Sequence, residues 1–387
     1  MKKPVYLDYH ATTPCDPRVL EAMLPYFCDT FGNPSSRSHA FGRAAEDAVE
    51  QARRQVAAVI GARPQEIVFT SGATEANNLA LIGAVRARKE QGRHVIGTVI
   101  EHKSVLEPLK AMEEEGYDVT MIPVDSCGVV DPGAVAAAMT DQTILVTVML
   151  ANNEIGTIEP VKEIARIAHE RGAWVHTDAV QAVGKLAVDV DDLDVDLLAM
   201  SAHKLYGPKG SGALYVRQKP RRIELAPGIC GGGQERGLRS GTHNVPGIVG
   251  LAVACEIGEA ERVEEAERLS AMRDHLEAGL LAEIEGLTVN GCRESRLPNN
   301  LNVSVPYVDG EAMLLSLHDI ALSSGSACRS SAPGGSHVMK AIGRDDDLAR
   351  SSIRFGLGRW TTDEEIDYAI GRVSETVTRL RAMSALS

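Results

Sequence analysis

Short apolar runs alternate with amphipathic stretches through the middle of this chain. The runs "EIVFT" (66–70), "TILVTVML" (143–150), "AWVHTDA" (173–179) and "DLLAMSA" (196–202) read as strands. Between the second and third, "VKEIARIAHERG" puts Val161, Ile164, Ala165 and Ala168 at helical spacing, with Gly172 placed as a C-terminal cap. This alternation predicts an α/β domain with a largely parallel sheet. Each predicted strand ends in a polar cluster. In open α/β sheets the ligand crevice lies beyond the carboxyl ends of the strands, so clusters far apart in sequence can converge.

From about Cys255 the pattern changes. A charged helix, "EIGEAERVEEAERLSAMRDHLEAGLLAEI", is followed by "LNVSV" and "ALSSGSAC". The last segment, "TTDEEIDYAIGRVSETVTRL", has a capping box from Thr362 to Glu365 and sets Ile366, Ala369, Ile370, Val373 and Val377 on one face. With 387 residues the chain exceeds one simple core. The expectation is a large α/β domain over 15–254 and a smaller α+β domain over 255–387, with the N-terminal arm 1–14 packed near the latter. No repeat, low-complexity tract or long linker interrupts them.

Composition narrows the function classes. A hydrophobic content of 44% suits a fully globular protein, and the net charge of −13 argues against nucleic-acid partners and anionic membranes. The opening "MKKPVYLDYHATTP" lacks the apolar run of a signal peptide, and no segment has the length of a membrane span, so a cytoplasmic location is expected. Seven scattered cysteines without a C-x-x-C pair give neither a disulfide framework nor a metal signature. One of them stands apart. Cys328 lies in "ALSSGSACRSSAPGGSH", among glycines and serines that cannot build a core; it is either an incidental thiol of a solvated loop or a reactive sulfur, which an accessible position suits better than a structural role.

Three polar clusters carry candidate chemistry. In "TSGATEANNLALIGAV", Ser71, Gly72, Ala73 and Thr74 stand where a strand meets a helix, a setting for a bound phosphate or an ordinary glycine turn capped by Thr74. The lysine of a nucleotide-hydrolysing loop is missing. In "HTDAVQAVGK", Asp178 ends a very apolar strand with Gln181 nearby; it either caps the next helix or faces a cation such as a protonated pyridine nitrogen. In "MSAHKLYGPKGSGALYV", Ser201, His203 and Lys204 follow another strand, and a lysine leaving a buried strand suits Schiff-base chemistry. A lysine for an aldehyde, an aspartate for a ring nitrogen and a helix terminus for a phosphate together describe pyridoxal 5'-phosphate.

The chain resembles the NifS/IscS cysteine desulfurases, of the class V aminotransferase family of fold-type I pyridoxal-phosphate enzymes. The resemblance runs from "YLDYHATTP" through "FTSGATEANN", "EHKSV", "ANNEIG", "HTDAVQ", "SAHKLYGPKG", "RSGTHN" and "SSGSAC" to "IRFGLGR". "SSGSAC" on a longer loop is similar to the group that feeds iron–sulfur scaffold proteins. The resemblance implies Lys204 as the Schiff-base lysine, Asp178 as partner of the pyridine nitrogen, Gln181 against the ring hydroxyl and His102 stacked on the ring, where it also handles the substrate thiol's proton. It implies Thr74, Ser201 and His203, with backbone near Gly72 and Ala73, as the phosphate site, completed in a homodimer by Thr242 of the neighbouring subunit. Arg354, helped by Asn153, would grip the carboxylate of L-cysteine, with Asn153 also at the cofactor, and Cys328 would carry the sulfur as a persulfide toward a scaffold or another acceptor. The chain departs from the pattern at His10, where serine or asparagine is expected, and at Arg329, where threonine is common. Its C-terminus is also short for docking a scaffold. A selenocysteine lyase and a catalytically silent partner protein of the same fold are the alternative readings.

Overall fold

Seven strands form the central sheet of the computed structural model, whose described residues are 4–324 and 335–384. Their order across the sheet is Ile67–Thr70, Gly212–Val216, Leu197–Ser201, Trp174–Asp178, Thr143–Thr147, His94–Thr98 and Asp118–Ile122. Gly212–Val216 runs antiparallel to both neighbours and every other pairing is parallel.

Successive side chains of a strand point to opposite faces, and both faces here are covered. Ile67, Phe69, Ile96, Val146, Val175, Leu198 and Met200 join one core with Val49, Val56, Ile164 and Leu251. Val68, Val95, Leu145, Leu197 and Leu214 join the other with Ala76, Ala80, Ala84 and Leu109. The helix Val161–Glu170 ends as its sequence predicts: Gly172 adopts a φ of +75°, which lets Ala173 N–H reach the Ala168 carbonyl at 3.0 Å.

A second layer consists of the antiparallel strands Thr288–Asn290, Asn300–Ser304 and Ser352–Gly356, covered by the final helix Asp363–Ser384. Thr362 and Glu365 cap one another reciprocally, and Ile366, Ala369, Val373 and Val377 are buried on one face. The charged helix read from the sequence is longer than its charged part. It spans Val245–Glu283 and passes residues 254 and 255 without a break. Its first half packs in the core that holds Val175, through Ile248, Leu251 and Cys255, and its second half packs under the small sheet, through Leu269, Leu276 and Leu280.

The N-terminal arm ties these layers together. Val5–Tyr6 pairs in parallel with Ile320–Ala321, Tyr9 N–H donates to the Gly356 carbonyl, and Thr13 N–H donates to the His203 carbonyl. Asp8, His10 and Ala11 are thereby carried across the strand ends of the central sheet. Among the described residues no helix is long and apolar enough to cross a membrane.

Candidate active site

Lys204 ends a single 3-10 turn, Ala202–Lys204, that closes the strand Leu197–Ser201. Its Nζ donates to the carbonyls of His10 at 2.5 Å and Ala11 at 2.7 Å. Burial, followed by the nearby cations Arg354 and Lys185, pushes the Lys204 amine from the ordinary 10.5 down to about 7. Lys185 is itself pushed to about 8 by burial, and its Nζ donates to the carbonyls of Gln181 and Lys204. With its pKa near 7, the Lys204 amine has a substantial neutral fraction at neutral pH, and in that form it is a nucleophile and a proton acceptor.

Asp178 ends the neighbouring strand. Its Oδ1 accepts from Val180 N–H at 3.0 Å and its Oδ2 from Asn77 Nδ2 at 2.7 Å. His102 stands at the N-terminus of the helix Lys103–Glu114, where its Nδ1 accepts from Ser104 N–H at 3.1 Å and lies 2.8 Å from Ser104 Oγ. Burial lowers the His102 pKa against the opposing pull of the Asp178 carboxylate, and Lys204 lowers it further, so the three groups share one electrostatic neighbourhood.

The turn after the strand Ile67–Thr70 is shaped for close approach. Gly72 has a φ of +144°, and a Cβ added there would meet only Ser201 Oγ, at 3.9 Å, within 4 Å. Gly212 has no such room, since a Cβ there would lie 2.7 Å from Gly72 Cα. The first N–H groups of the helix Ala73–Ala87 have no partner within the helix, and Thr74 sits in that turn. Glu75 fixes the turn by accepting from Ser71 N–H at 2.8 Å and from Arg239 at 2.7 Å. His203 Nδ1 lies 3.2 Å from Thr12 Oγ1, and burial, then Lys204, pushes that imidazole down to about 4.

Arg354 lies on the strand Ser352–Gly356 of the small sheet. One terminal nitrogen donates to the Asn153 carbonyl at 2.8 Å, the other to Asp8 Oδ1 at 2.9 Å, and Nε is buried without a partner among the described residues. The contact from Asn153 is thus its backbone oxygen. Asp8 Oδ1 also accepts from Ser323 Oγ at 2.8 Å. Gln181 turns its amide to His10: Nε2 donates to the His10 carbonyl at 3.1 Å, and Oε1 lies 3.0 Å from His10 Nδ1. Thr242 is exposed, in a segment anchored by the buried pair of Glu235 and Arg53. Cys328 and Arg329 lie outside the described residues.

The structure therefore brings Lys204, Asp178, His102, Gln181, Ser201, Gly72 and Arg354 to one end of the sheet. It adds residues that sequence reasoning missed: Asp8, Asn77, Ser104 and Lys185. Asn77 had a signal, because it is a polar amide on the helix face otherwise buried through Ala76, Ala80, Leu81 and Ala84. Asp8 had none, since its partner is 346 residues away.

A family model described as aminotransferase class-V matches residues 5–369. The chain belongs to this family. It is 55% identical over 386 residues to "Cysteine desulfurase IscS" of Anaeromyxobacter sp. (strain K), covering 100% of this chain and 95% of that one. It is 49% identical over 385 residues to the "Cysteine desulfurase" of Homo sapiens, covering 99% of this chain and 84% of that one. A solved NifS-like protein superposes with a TM-score of 0.91 at 41% identity, over 97% of this chain and 100% of that one. Another, titled "SspA in complex with cysteine", has a TM-score of 0.82 at 39% identity, over 92% and 100% of the two chains. Likeness of this extent makes the chain a cysteine desulfurase with the fold-type I architecture. The cofactor of this class V family is pyridoxal 5'-phosphate. The donor set fits that group: a buried amine for its aldehyde, a buried carboxylate for its ring nitrogen, and an open glycine turn at a helix N-terminus for its phosphate.

Proposed function

We propose that this cysteine desulfurase moves the sulfur of L-cysteine onto Cys328. The Cβ–S bond of the substrate breaks, a sulfur–sulfur bond to Cys328 forms, and L-alanine leaves. Thiol and amino acid enter, persulfide and alanine leave, and no external oxidant is required. Bound pyridoxal phosphate supplies the electron sink for this chemistry. We assign Lys204 to its aldehyde, Asp178 to its ring nitrogen, Gln181 to its ring hydroxyl, and Gly72, Ala73, Thr74, Ser201 and His203 to its phosphate, with His102 over the ring and Asn153 beside it.

The observation that carries this reading is the Lys204 amine, brought to about 7 among backbone carbonyls and cations. Such an amine can take and return a proton at the substrate's Cα near neutral pH. Among the described residues Arg354 retains three N–H donors, including the buried Nε, for the substrate carboxylate. His102 is a neutral imidazole suited to proton exchange with the substrate sulfur.

The assembly is proposed as a homodimer in which Thr242 reaches the partner's phosphate site. Its exposed position and the exposed rings of Phe27, Phe31 and Phe41 support a face for a second copy. The sulfur acceptor is proposed to be an iron–sulfur scaffold protein, and the location cytoplasmic, in keeping with six unpaired cysteines among the described residues. A relative in Dictyostelium discoideum is named mitochondrial, so cell fractionation is the test of location. Borohydride treatment of the holoenzyme followed by peptide mapping should find the cofactor fixed to Lys204. Attachment at another lysine would overturn the assignment.

A further inference from the structure

Asn77 joins two parts of the site that are far apart in sequence. It is fully buried, and each of its amide groups has a partner. Nδ2 donates one hydrogen to Asp178 Oδ2 at 2.7 Å and the other to Ser104 Oγ at 2.8 Å. Oδ1 lies 3.1 Å from His176 Nε2. The directions of these bonds are fixed by chemistry. Asp178 Oδ2 is met by the amide nitrogen, so Oδ1 is the acceptor turned to His176, whose Nε2 carries the proton and whose Nδ1 accepts from Thr147 Oγ1 at 2.8 Å. The buried imidazole of His176 is thus neutral, in accord with the burial that pushes it to about 3.

The same logic runs along the other branch. Ser104 Oγ receives a hydrogen from Asn77, so its own hydrogen is free to go to His102 Nδ1, 2.8 Å away. That nitrogen already accepts from Ser104 N–H, and with two donors aimed at it, Nδ1 carries no proton. The neutral imidazole of His102 then holds its proton on Nε2. We propose that Asn77 is a positioning residue of the active site, which orients the Asp178 carboxylate directly and sets the Nε2-protonated form of His102 through Ser104.

The consequence reaches the chemistry. His102 enters the reaction as a donor at Nε2, and it becomes a base there only after giving that proton up. Asp178 enters with one oxygen satisfied by Val180 N–H and the other by Asn77, so its orientation is fixed before any partner arrives. Charged and titratable groups that act on His102 from the surrounding elements are Asp178, Lys204 and Lys103, with His337 close enough for its own pKa to be lowered by His102. None of them supplies a proton to Nδ1 in place of Ser104.

The proposal rests on the assignment of Asp178 and His102 to the cofactor site made above, and the test separates the two. Holoenzymes carrying Asn77→Ala and Ser104→Ala would be compared with the parent by the pH titration of cofactor absorption and by nitrogen NMR of ¹⁵N-histidine-labelled protein. In the parent, His102 should show a protonated Nε2. Loss of a donor to Nδ1 makes that nitrogen easier to protonate, so Ser104→Ala should raise the His102 ionisation by about half to one pH unit and leave the absorption titration unchanged. Asn77→Ala should move both, because Asp178 also loses a charge-assisted donor and holds a proton more tightly; the absorption titration should shift upward by about one unit. If Asn77→Ala does not fold, Asn77→Leu, close to asparagine in volume and without either donor, carries the same expectation. Wild-type titrations in the Asn77 variant, whatever its thermal stability, or a protonated Nδ1 of His102 in the parent, would overturn the proposal. Lys204→Ala run alongside checks the site itself: if it keeps the parent's absorption, the cofactor-site reading has failed, and if only the Asn77 variant matches the parent, the role of Asn77 has failed alone.

Discussion

Replacing Arg354 by lysine probes how the substrate is held. The guanidinium has five N–H donors, of which one goes to the Asn153 carbonyl and one to Asp8, leaving Nε–H and two terminal hydrogens. Nε–H and the neighbouring terminal hydrogen form a side-on fork of the width of a carboxylate. Lysine keeps the charge but offers a compact ammonium on a shorter stem, which cannot hold both existing acceptors and a bidentate carboxylate. At least one charge-assisted bond to the substrate is lost, worth about 1.5–3 kcal/mol. At about 1.4 kcal/mol per factor of ten, kcat/KM should fall roughly 10- to 150-fold. The carboxylate is held equally before and during bond breaking, so the loss should appear chiefly in KM. Alanine formation measured against L-cysteine concentration reads it. A KM within twofold of the parent's would refute the fork, and a fall confined to kcat would assign Arg354 to the bond-breaking step instead.

Further outcomes follow from the same structure. In cofactor-free protein, modification of Lys204 by an amine-directed reagent should reach half its plateau near pH 7, since the amine is protonated below that and free above it; a midpoint above pH 9 would contradict its surroundings. Gly72→Ala should fold but retain cofactor poorly, because the methyl enters the open turn and the φ of +144° disfavours it; unchanged retention on dialysis would remove the turn from the phosphate site. Glu235→Gln should destabilise the protein by about 3 kcal/mol, read as a lower urea midpoint, because it removes the buried carboxylate that neutralises Arg53 and leaves only the half-exposed Glu50 at its Nε. Burial raises the Glu235 pKa, but hydrogen bonds from Arg53 and His243 outweigh it and hold the group at about 2. With the folded value below the ordinary 4.5, this contribution is complete above pH 4.5 and fades as pH falls toward 2. A urea midpoint equally acid-sensitive in parent and variant would count against it.

Two of the residues that sequence reading singled out, Asp178 and Lys204, share one physical property: they are polar groups following apolar strands. Asp178 after "WVHT" and Lys204 after "LLAMS" were legible because a carboxylate or amine in that place needs a reason. The final helix was legible down to its capping box, since all its determinants are local. The arm was not. Its residues 7–13 have no helical or strand periodicity, and their partners, Arg354, Gln181 and Lys204, are more than 170 positions away, so its part in the site comes only from tertiary pairing. The departure at His10 was visible, but its place against the Gln181 amide was not. The change in composition at Cys255 corresponds to a helix exchanging one packing partner for another, which requires no break in the backbone. The contact between Asn153 and Arg354 was not legible, because it is made by a carbonyl that every residue has.

The central claim is transfer of sulfur from L-cysteine through Cys328, and alanine release tests it most directly. Purified holoenzyme would be supplied with L-cysteine, with and without an added thiol, beside a Cys328→Ser variant that retains cofactor. The account predicts thiol-stimulated alanine formation with matching sulfide release in the parent and loss of both in the variant. A Cys328→Ser enzyme that releases alanine and delivers sulfur at the parent's rate would contradict it.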